Sequence, residues 1–102
     1  MESDIQKEVI DYLKAAGWLA FRMNAGRARM NVHLCPAGTP DLLAVSPLGI
    51  YLWIEVKTKK GEISLAQAAM HEDLLSRRCF VTVIRCVEDI AAEVRSITGN
   101  KK

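Results

Sequence analysis

The sequence predicts an α/β fold in which helices enclose a mixed sheet, and three observations support this prediction. Helical and strand-like periodicities alternate along the chain in the order helix, strand, hairpin, helix, strand, helix. Short turn signals separate these segments, and no repeat or low-complexity stretch interrupts them. A helix joins the last two strands, which is the connection that parallel neighbours require. We therefore expect a sandwich of order α-β-β-β-α-β-α.

The first two predicted elements are a helix over residues 4–16 and a strand over residues 18–23. Apolar residues recur at helical spacing in the first segment, with Ser3 or Asp4 as the candidate N-cap and Gly17 as the stop. The second segment is short, apolar and rich in residues that favour strands. A helix followed directly by a strand is therefore expected.

The next two elements form a predicted hairpin, after a loop over residues 24–30. Residues 41–45 and 50–57 are strand-like, and a proline and a glycine lie in the four residues between them. Side chains alternate along a strand, so Glu55 and Lys57 should share one face of the second hairpin strand.

The C-terminal part predicts helix, strand and helix. Ser64 and Gln67 match a capping box, which predicts a helix that ends near Arg77. Residues 79–86 are a continuous apolar, β-branched segment that suits a buried strand. Apolar residues then recur at helical spacing over residues 87–97, so the last element is expected to be a helix.

Size and composition limit the possible function classes. The 102 residues, half hydrophobic and a quarter charged, fit a globular protein. We expect one domain over residues 1–98 and a short basic tail over residues 99–102. The longest apolar stretches fall short of the ~20 residues of a membrane span. The N-terminal residues lack the pattern of an export signal, so no membrane association and a cytoplasmic location are expected.

Sequence motifs exclude several kinds of site. The three cysteines have no CxxC spacing and are expected to be reduced thiols. No P-loop, HExxH or G-x-S-x-G motif is found, and no organic cofactor is expected.

Basic residues are grouped, although the net charge is only +2. One group lies before the hairpin and the other follows its second strand. Either group could contact nucleic acid or simply form a solvated charged surface. The candidate nucleic-acid contacts are Arg22, Asn24, Arg27, Arg29, Lys59 and Lys60.

Two acids and a lysine are expected to converge at the hairpin. Asp41 begins the first hairpin strand, while Glu55 and Lys57 lie near the end of the second. Residues i and i+2 on a strand are roughly 6.5 to 7 Å apart, and a neighbouring strand is only ~5 Å away. Two carboxylates can hold Mg²⁺ or Mn²⁺, and an ammonium can stabilise charge on a phosphate. An isolated Glu-x-Lys on a strand is usually a solvated surface pair.

This pattern resembles known nucleases. Residues 40–41, PD, are followed after thirteen residues by residues 55–57, EVK, which is similar to the PD-(D/E)xK signature of restriction-endonuclease-like nucleases. Residues 38–41 (GTPD), 54–58 (IEVKT), Gly61, Ser64 and Gln67 resemble more closely the virus-type replication-repair nuclease (VRR-NUC) family. That family has small phage and bacterial members and is similar to archaeal Holliday-junction resolvases.

The resemblance implies roles for individual residues. Asp41, Glu55 and the backbone carbonyl of Val56 match metal ligands, and Lys57 matches the catalytic lysine. Gln67 matches a glutamine near the site, although it could instead serve only the capping box. Relatives often add a glutamate from the first helix, for which this chain offers Glu2, Gln6 or Glu8.

Two further side chains are expected to have structural rather than catalytic roles. His71 follows Gln67 on the predicted helix and is expected to be a half-buried surface histidine rather than a general base. Trp53 shares the face of Glu55 and could pack against a helix or form a dimer contact, and packing is the favoured interpretation.

The resemblance implies a Mg²⁺- or Mn²⁺-dependent DNA endonuclease that selects branched or junction DNA in DNA repair. A homodimer is expected, because two strands must be cut and one small domain offers one site. Two alternatives remain open at this point. One is a non-catalytic nucleic-acid-binding module on the same fold, and the other is an RNA-directed nuclease.

Overall fold

A computed structural model describes residues 1–23 and 35–98, which form three helices and four strands. These elements are α1 (Glu2–Ala15), β1 (Leu19–Arg22), β2 (Leu42–Val45), β3 (Tyr51–Val56), α2 (Leu65–Ser76), β4 (Phe80–Ile84) and α3 (Val87–Thr98). Their order is the predicted one. The predicted loop over residues 24–30 and the tail over residues 99–102 lie outside the described residues.

The four strands form one mixed sheet in the order β1-β2-β3-β4. β1 pairs antiparallel with β2, β2 pairs antiparallel with β3, and β3 pairs parallel with β4. The β2–β3 pair is the predicted hairpin, with Leu42 opposite Ile54. The Ser46 hydroxyl accepts hydrogen bonds from the backbone N–H groups of Leu48 and Ile50, at 3.1 and 2.9 Å, and so closes the turn.

The core lies between one face of the sheet and the helices α1 and α3. In β3 the predicted alternation is confirmed, because Leu52, Ile54 and Val56 are fully buried on this face. The remaining core residues come from α1, β2, β4, α3 and the α1–β1 connection, and they are Val9, Leu13, Trp18, Leu42, Ala44, Ile84, Ile90 and Val94. This packing holds the hairpin rigidly between its neighbours.

The helix α2 lies on the opposite face of the sheet. Its residues Met70 and Leu74 line a cavity of about 220 Å³ together with Trp53 from β3. Trp53 is half-buried there, consistent with the expected packing against a helix. None of the helices in the described ranges is both long enough and apolar enough to cross a lipid bilayer.

Two local predictions were wrong. The N-cap of α1 is Met1 rather than Ser3 or Asp4, so the helix begins two residues earlier than predicted and has no side-chain cap. β4 was expected to be buried, but Phe80 is 50% exposed and only Ile84 is fully buried. The reason is the strand order, since β4 forms an edge of the sheet and has a neighbouring strand on one side only.

Candidate active site

Asp41 is held at the end of β3 by a backbone hydrogen bond. It lies directly before β2, and its Oδ2 accepts a hydrogen bond from the Val56 N–H at 2.8 Å. The strand pairing therefore fixes the Asp41 carboxylate beside the residue that follows Glu55.

The segment before Asp41 packs against the start of α2. Gly38 has a φ of +86°, and a Cβ on it would overlap the backbone carbonyl of Ala66. Only glycine combines this backbone conformation with such a close approach. Gly38 thereby brings the Asp41 segment and the first turn of α2 together.

Glu55 is a buried carboxylate with a partner on each oxygen. Its side chain lies on the α2 face of β3 and the residue is 1% exposed. The Gln67 Nε2 donates to Oε2 at 3.1 Å, and the His71 Nε2 lies 3.1 Å from Oε1. The helix α2 thus fixes the orientation of this carboxylate.

Gln67 forms the capping box and also contacts Glu55. Its Oε1 accepts from the Ser64 N–H at 2.9 Å, while its own N–H donates to the Ser64 hydroxyl at 3.1 Å, which is the predicted capping box. At the same time its Nε2 reaches Glu55. Its function in any reaction stays a prediction, but the cap fixes the amide that contacts Glu55.

His71 is a site residue that the sequence interpretation missed. Its side chain is 12% exposed and contacts Glu55 rather than the solvent-facing surface. The signal was present, since His71 follows Gln67 by four residues and residues at that spacing share a helix face.

Lys57 completes the predicted group. It directly follows β3, and its N–H donates to the Ile84 carbonyl at 3.0 Å. Its positive charge acts on both Glu55 and His71. It adds to the lowering of the His71 pKa by burial, and it partly opposes the rise of the Glu55 pKa that burial causes. Asp41, Glu55 and Lys57 are therefore brought together as the sequence predicts.

The electrostatics of the site favour an added cation. Burial, followed by the hydrogen bond and negative charge of Asp41, raises the pKa of Glu55 from 4.5 to about 8, and Glu2 contributes in the same direction. Burial also acts on His71, where it lowers the pKa below 6.5, while the negative charge of Asp41 acts in the opposite direction. A carboxylate whose ionisation is disfavoured by burial and by a neighbouring acid is stabilised in charged form by a divalent ion beside it.

The donor set fits a magnesium-like ion. Among residues 1–23 and 35–98 no group of three or more His, Cys, Asp or Glu side chains is arranged to hold a metal. The candidate ligands are instead the carboxylates of Asp41 and Glu55 and the predicted carbonyl of Val56. Mg²⁺ keeps several waters and binds through one or two carboxylates, so this set suffices.

One of the three candidate ligands on the first helix influences the pKa of Glu55. Of its three candidates, Glu2 is close enough to raise the pKa of Glu55. Gln6 instead accepts a hydrogen bond from the Arg22 guanidinium at 2.9 Å, and Glu8 is exposed. Arg22 is itself exposed at the end of β1.

Of the remaining candidate nucleic-acid contacts, two lie in the described part of the chain and three lie outside it. Lys59 and Lys60 are exposed in the loop after β3, close in sequence to Lys57. Asn24, Arg27 and Arg29 lie outside the described residues.

Comparison with known proteins supports the fold. No protein-family model and no curated protein matches the chain. A solved structure described as "VRR_NUC domain" matches with a TM-score of 0.77 and 23% identity, over 92% of this chain and 94% of that chain. The chain therefore shares the fold of that domain, and the predicted α-β-β-β-α-β-α order is confirmed.

Proposed function

We propose that the chain is a metal-dependent nuclease that hydrolyses DNA phosphodiester bonds, with Mg²⁺ or Mn²⁺ as the cofactor. The observation that carries the proposal is Glu55, a carboxylate 1% exposed that lies beside Asp41 and within the field of Lys57. A buried acid whose pKa is raised beside a second acid destabilises the metal-free protein when it ionises, so a function that uses the two acids is the natural explanation.

Each residue has a distinct task in this reaction. Asp41, Glu55 and the Val56 carbonyl would hold the ion, which supplies charge neutralisation and an activated water when bound. Gln67 and His71 keep the Glu55 carboxylate in one orientation. The Lys57 ammonium stabilises negative charge on the phosphate or orients the attacking water. Glu2 is the favoured additional acid from α1.

Substrate contacts follow from the basic residues around this group. Arg22, Lys59 and Lys60 are exposed and suited to phosphate contacts. Asn24, Arg27 and Arg29, which lie outside the described residues, stay proposed contacts from the sequence. We further propose that branched or junction DNA is preferred and that the chain acts as a homodimer, so that two sites cut two strands. A single domain over residues 1–98 and a cytoplasmic location remain part of this proposal.

A cleavage panel tests the proposal. Linear, forked, flapped and four-way DNA and matched RNA are incubated with Mg²⁺, Mn²⁺ or EDTA, and the molar mass is measured in parallel. Metal-dependent cleavage of branched DNA by a dimer is expected. Lys57→Ala, Asp41→Asn and Glu55→Gln should each lower the rate about 100-fold or more.

Matched surface variants control for nonspecific effects. Lys7 and Asp11 form an exposed ion pair on α1 at 3.0 Å, so Lys7→Ala and Asp11→Asn change the same residue types away from the site. Both should cleave like the wild type. DNA binding that persists in EDTA and in Glu55→Gln, without cleavage under any condition, would instead support the binding-module alternative.

A further inference from the structure

The loop that follows Lys57 is held by a single arginine. Arg85 lies directly after β4, and its Nη1 is 2.6 Å from the Thr58 carbonyl oxygen, 2.7 Å from that of Gly61 and 3.3 Å from that of Lys59. Hydrogen bonds from a charged donor are about twice as strong as neutral ones. The backbone of residues 58–61 therefore wraps around one guanidinium nitrogen.

The same loop lies against the side chain of Lys57. A Cβ added to Gly61 would lie 3.4 Å from the Lys57 Cδ and 3.1 Å from the Thr58 Oγ1, so the glycine backbone lies close to the lysine stem. The Lys57 N–H is fixed separately by the Ile84 carbonyl, one residue before Arg85. Lys57 is thus held at its backbone by β4, and its stem lies beside the loop that Arg85 organises.

Arg85 is itself held in place. Its backbone N–H donates to the Asp89 Oδ2 in the first turn of α3 at 2.9 Å. The guanidinium is directed inward to loop carbonyls, in contrast to Lys59 and Lys60, which are exposed. These contacts suit a residue that fixes neighbouring structure rather than one that contacts a substrate.

We propose that Arg85 is a positioning residue for Lys57, acting through the loop of residues 58–61. A lysine stem has four rotatable bonds, and an unrestrained ammonium would sample many positions relative to the Glu55 carboxylate. A loop fixed against the stem restricts that sampling. The inference rests on the proposed nuclease function, and it adds a residue outside the PD-(D/E)xK pattern on which the lysine depends.

Steady-state kinetics of Arg85 variants test this role. Because a misplacement of about 1 Å can lower a rate about 100-fold, Arg85→Ala should lower kcat by roughly 10- to 100-fold. The Mn²⁺ affinity should be unchanged, since Asp41 and Glu55 keep their own contacts. KM for DNA should rise by a smaller factor than kcat falls, because the released loop also carries Lys59 and Lys60. Arg85→Lys should restore part of the rate, because an ammonium can reach some of the carbonyls. Arg77→Ala is the matched control, since Arg77 forms an exposed pair with Asp73 at 3.2 Å.

A double variant separates positioning from a general effect on the fold. If Arg85 acts only through Lys57, Arg85→Ala combined with Lys57→Ala should be no slower than Lys57→Ala alone. A double variant that instead lost rate by the product of the two single losses would overturn the proposal. So would an unchanged kcat in Arg85→Ala, or a loss confined to KM or to Mn²⁺ affinity.

A spectroscopic readout keeps the inference independent of cleavage. In protein with ¹³C-labelled lysine, the Lys57 side-chain signal, assigned by its loss in Lys57→Ala, should shift in Arg85→Ala and stay unchanged in Arg77→Ala. If the wild type fails to cleave, the proposed function fails while this signal still tests the positioning role. If Arg85→Ala does not fold, Arg85→Lys should shift the same signal by a smaller amount, and the absence of any shift in Arg85→Lys would contradict the proposal.

Discussion

Glu55 combines burial with a neighbouring acid, Asp41, and this determines how its charge depends on pH. Its pKa of about 8 lies above the 4.5 of an exposed glutamate, mainly because of burial and then because of Asp41. Between these two values the folded, metal-free protein binds a proton that the unfolded chain does not bind. The free energy of unfolding therefore decreases as pH rises from 4.5 to 8.

Glu55→Gln should remove this pH dependence. Glutamine keeps the size of the side chain and carries no charge, so the metal-free variant should have a higher Tm than the wild type at pH 8. The difference should shrink towards pH 5, where Glu55 is protonated and neutral in the folded protein. Thermal denaturation in EDTA across this range measures it, and a wild type more stable than the variant at pH 8 would contradict the assignment.

The sequence predicted Asp41, Glu55 and Lys57 correctly as neighbours, because strand alternation and hairpin pairing are local properties. His71 was missed for a different reason. A helical histidine contacts a strand residue only if that helix face points to the sheet, and the orientation of α2 is set by packing. The contact with Glu55 is therefore a tertiary feature that spacing alone does not reveal.

At the scale of elements, the capping box of α2 connects helix stability with the candidate site. Ser64→Ala removes the cap and should lower the free energy of unfolding by about 1 kcal/mol, while the contact of Gln67 with Glu55 remains. Gln67→Ala removes both contacts and should also weaken Mn²⁺ binding, by roughly 10-fold or more. Chemical denaturation and Mn²⁺ titration of both variants separate the two effects. Equal Mn²⁺ affinities in the two variants would show that Gln67 serves the cap alone.

Two glycines with the same backbone conformation test how the Asp41 segment approaches α2. Gly38 and Gly49 have φ values of +86° and +85°, but a Cβ on Gly38 would overlap Ala66, whereas a Cβ on Gly49 would contact nothing within 4 Å. Gly49→Ala should destabilise by about 1 to 2 kcal/mol through backbone strain alone. Gly38→Ala should destabilise more and lower activity as well. Similar losses in both, measured by urea denaturation, would contradict the close approach.

The order of the elements was predictable because each has its own periodicity and its own stop signal. The exposure of β4 was not, since its apolar sequence is compatible with a central or an edge position. Likewise, the early start of α1 at Glu2 lacks a side-chain cap to mark it. The exposure of a strand and the first residue of an uncapped helix depend on the segments that pack beside them in the folded chain.

At the scale of the whole molecule, the fold places the ends of β2 and β3, the face of α2 and the N-terminus of α1 around one carboxylate pair. This arrangement explains how a 102-residue chain can assemble a charged site on a small core. Burial of ionised Glu55 is unfavourable for the metal-free protein, and the proposed metal ion would offset this cost. Ion uptake is therefore the property on which the other proposals depend.

Calorimetric titration of Mn²⁺ at pH 8, with uncleavable branched DNA present, tests the account most directly. We predict ion uptake by the wild type and by Asp11→Asn, and loss of that uptake in Asp41→Asn and in Glu55→Gln. Absence of uptake by the wild type, or equal uptake by all four proteins, would contradict a metal site formed by Asp41 and Glu55.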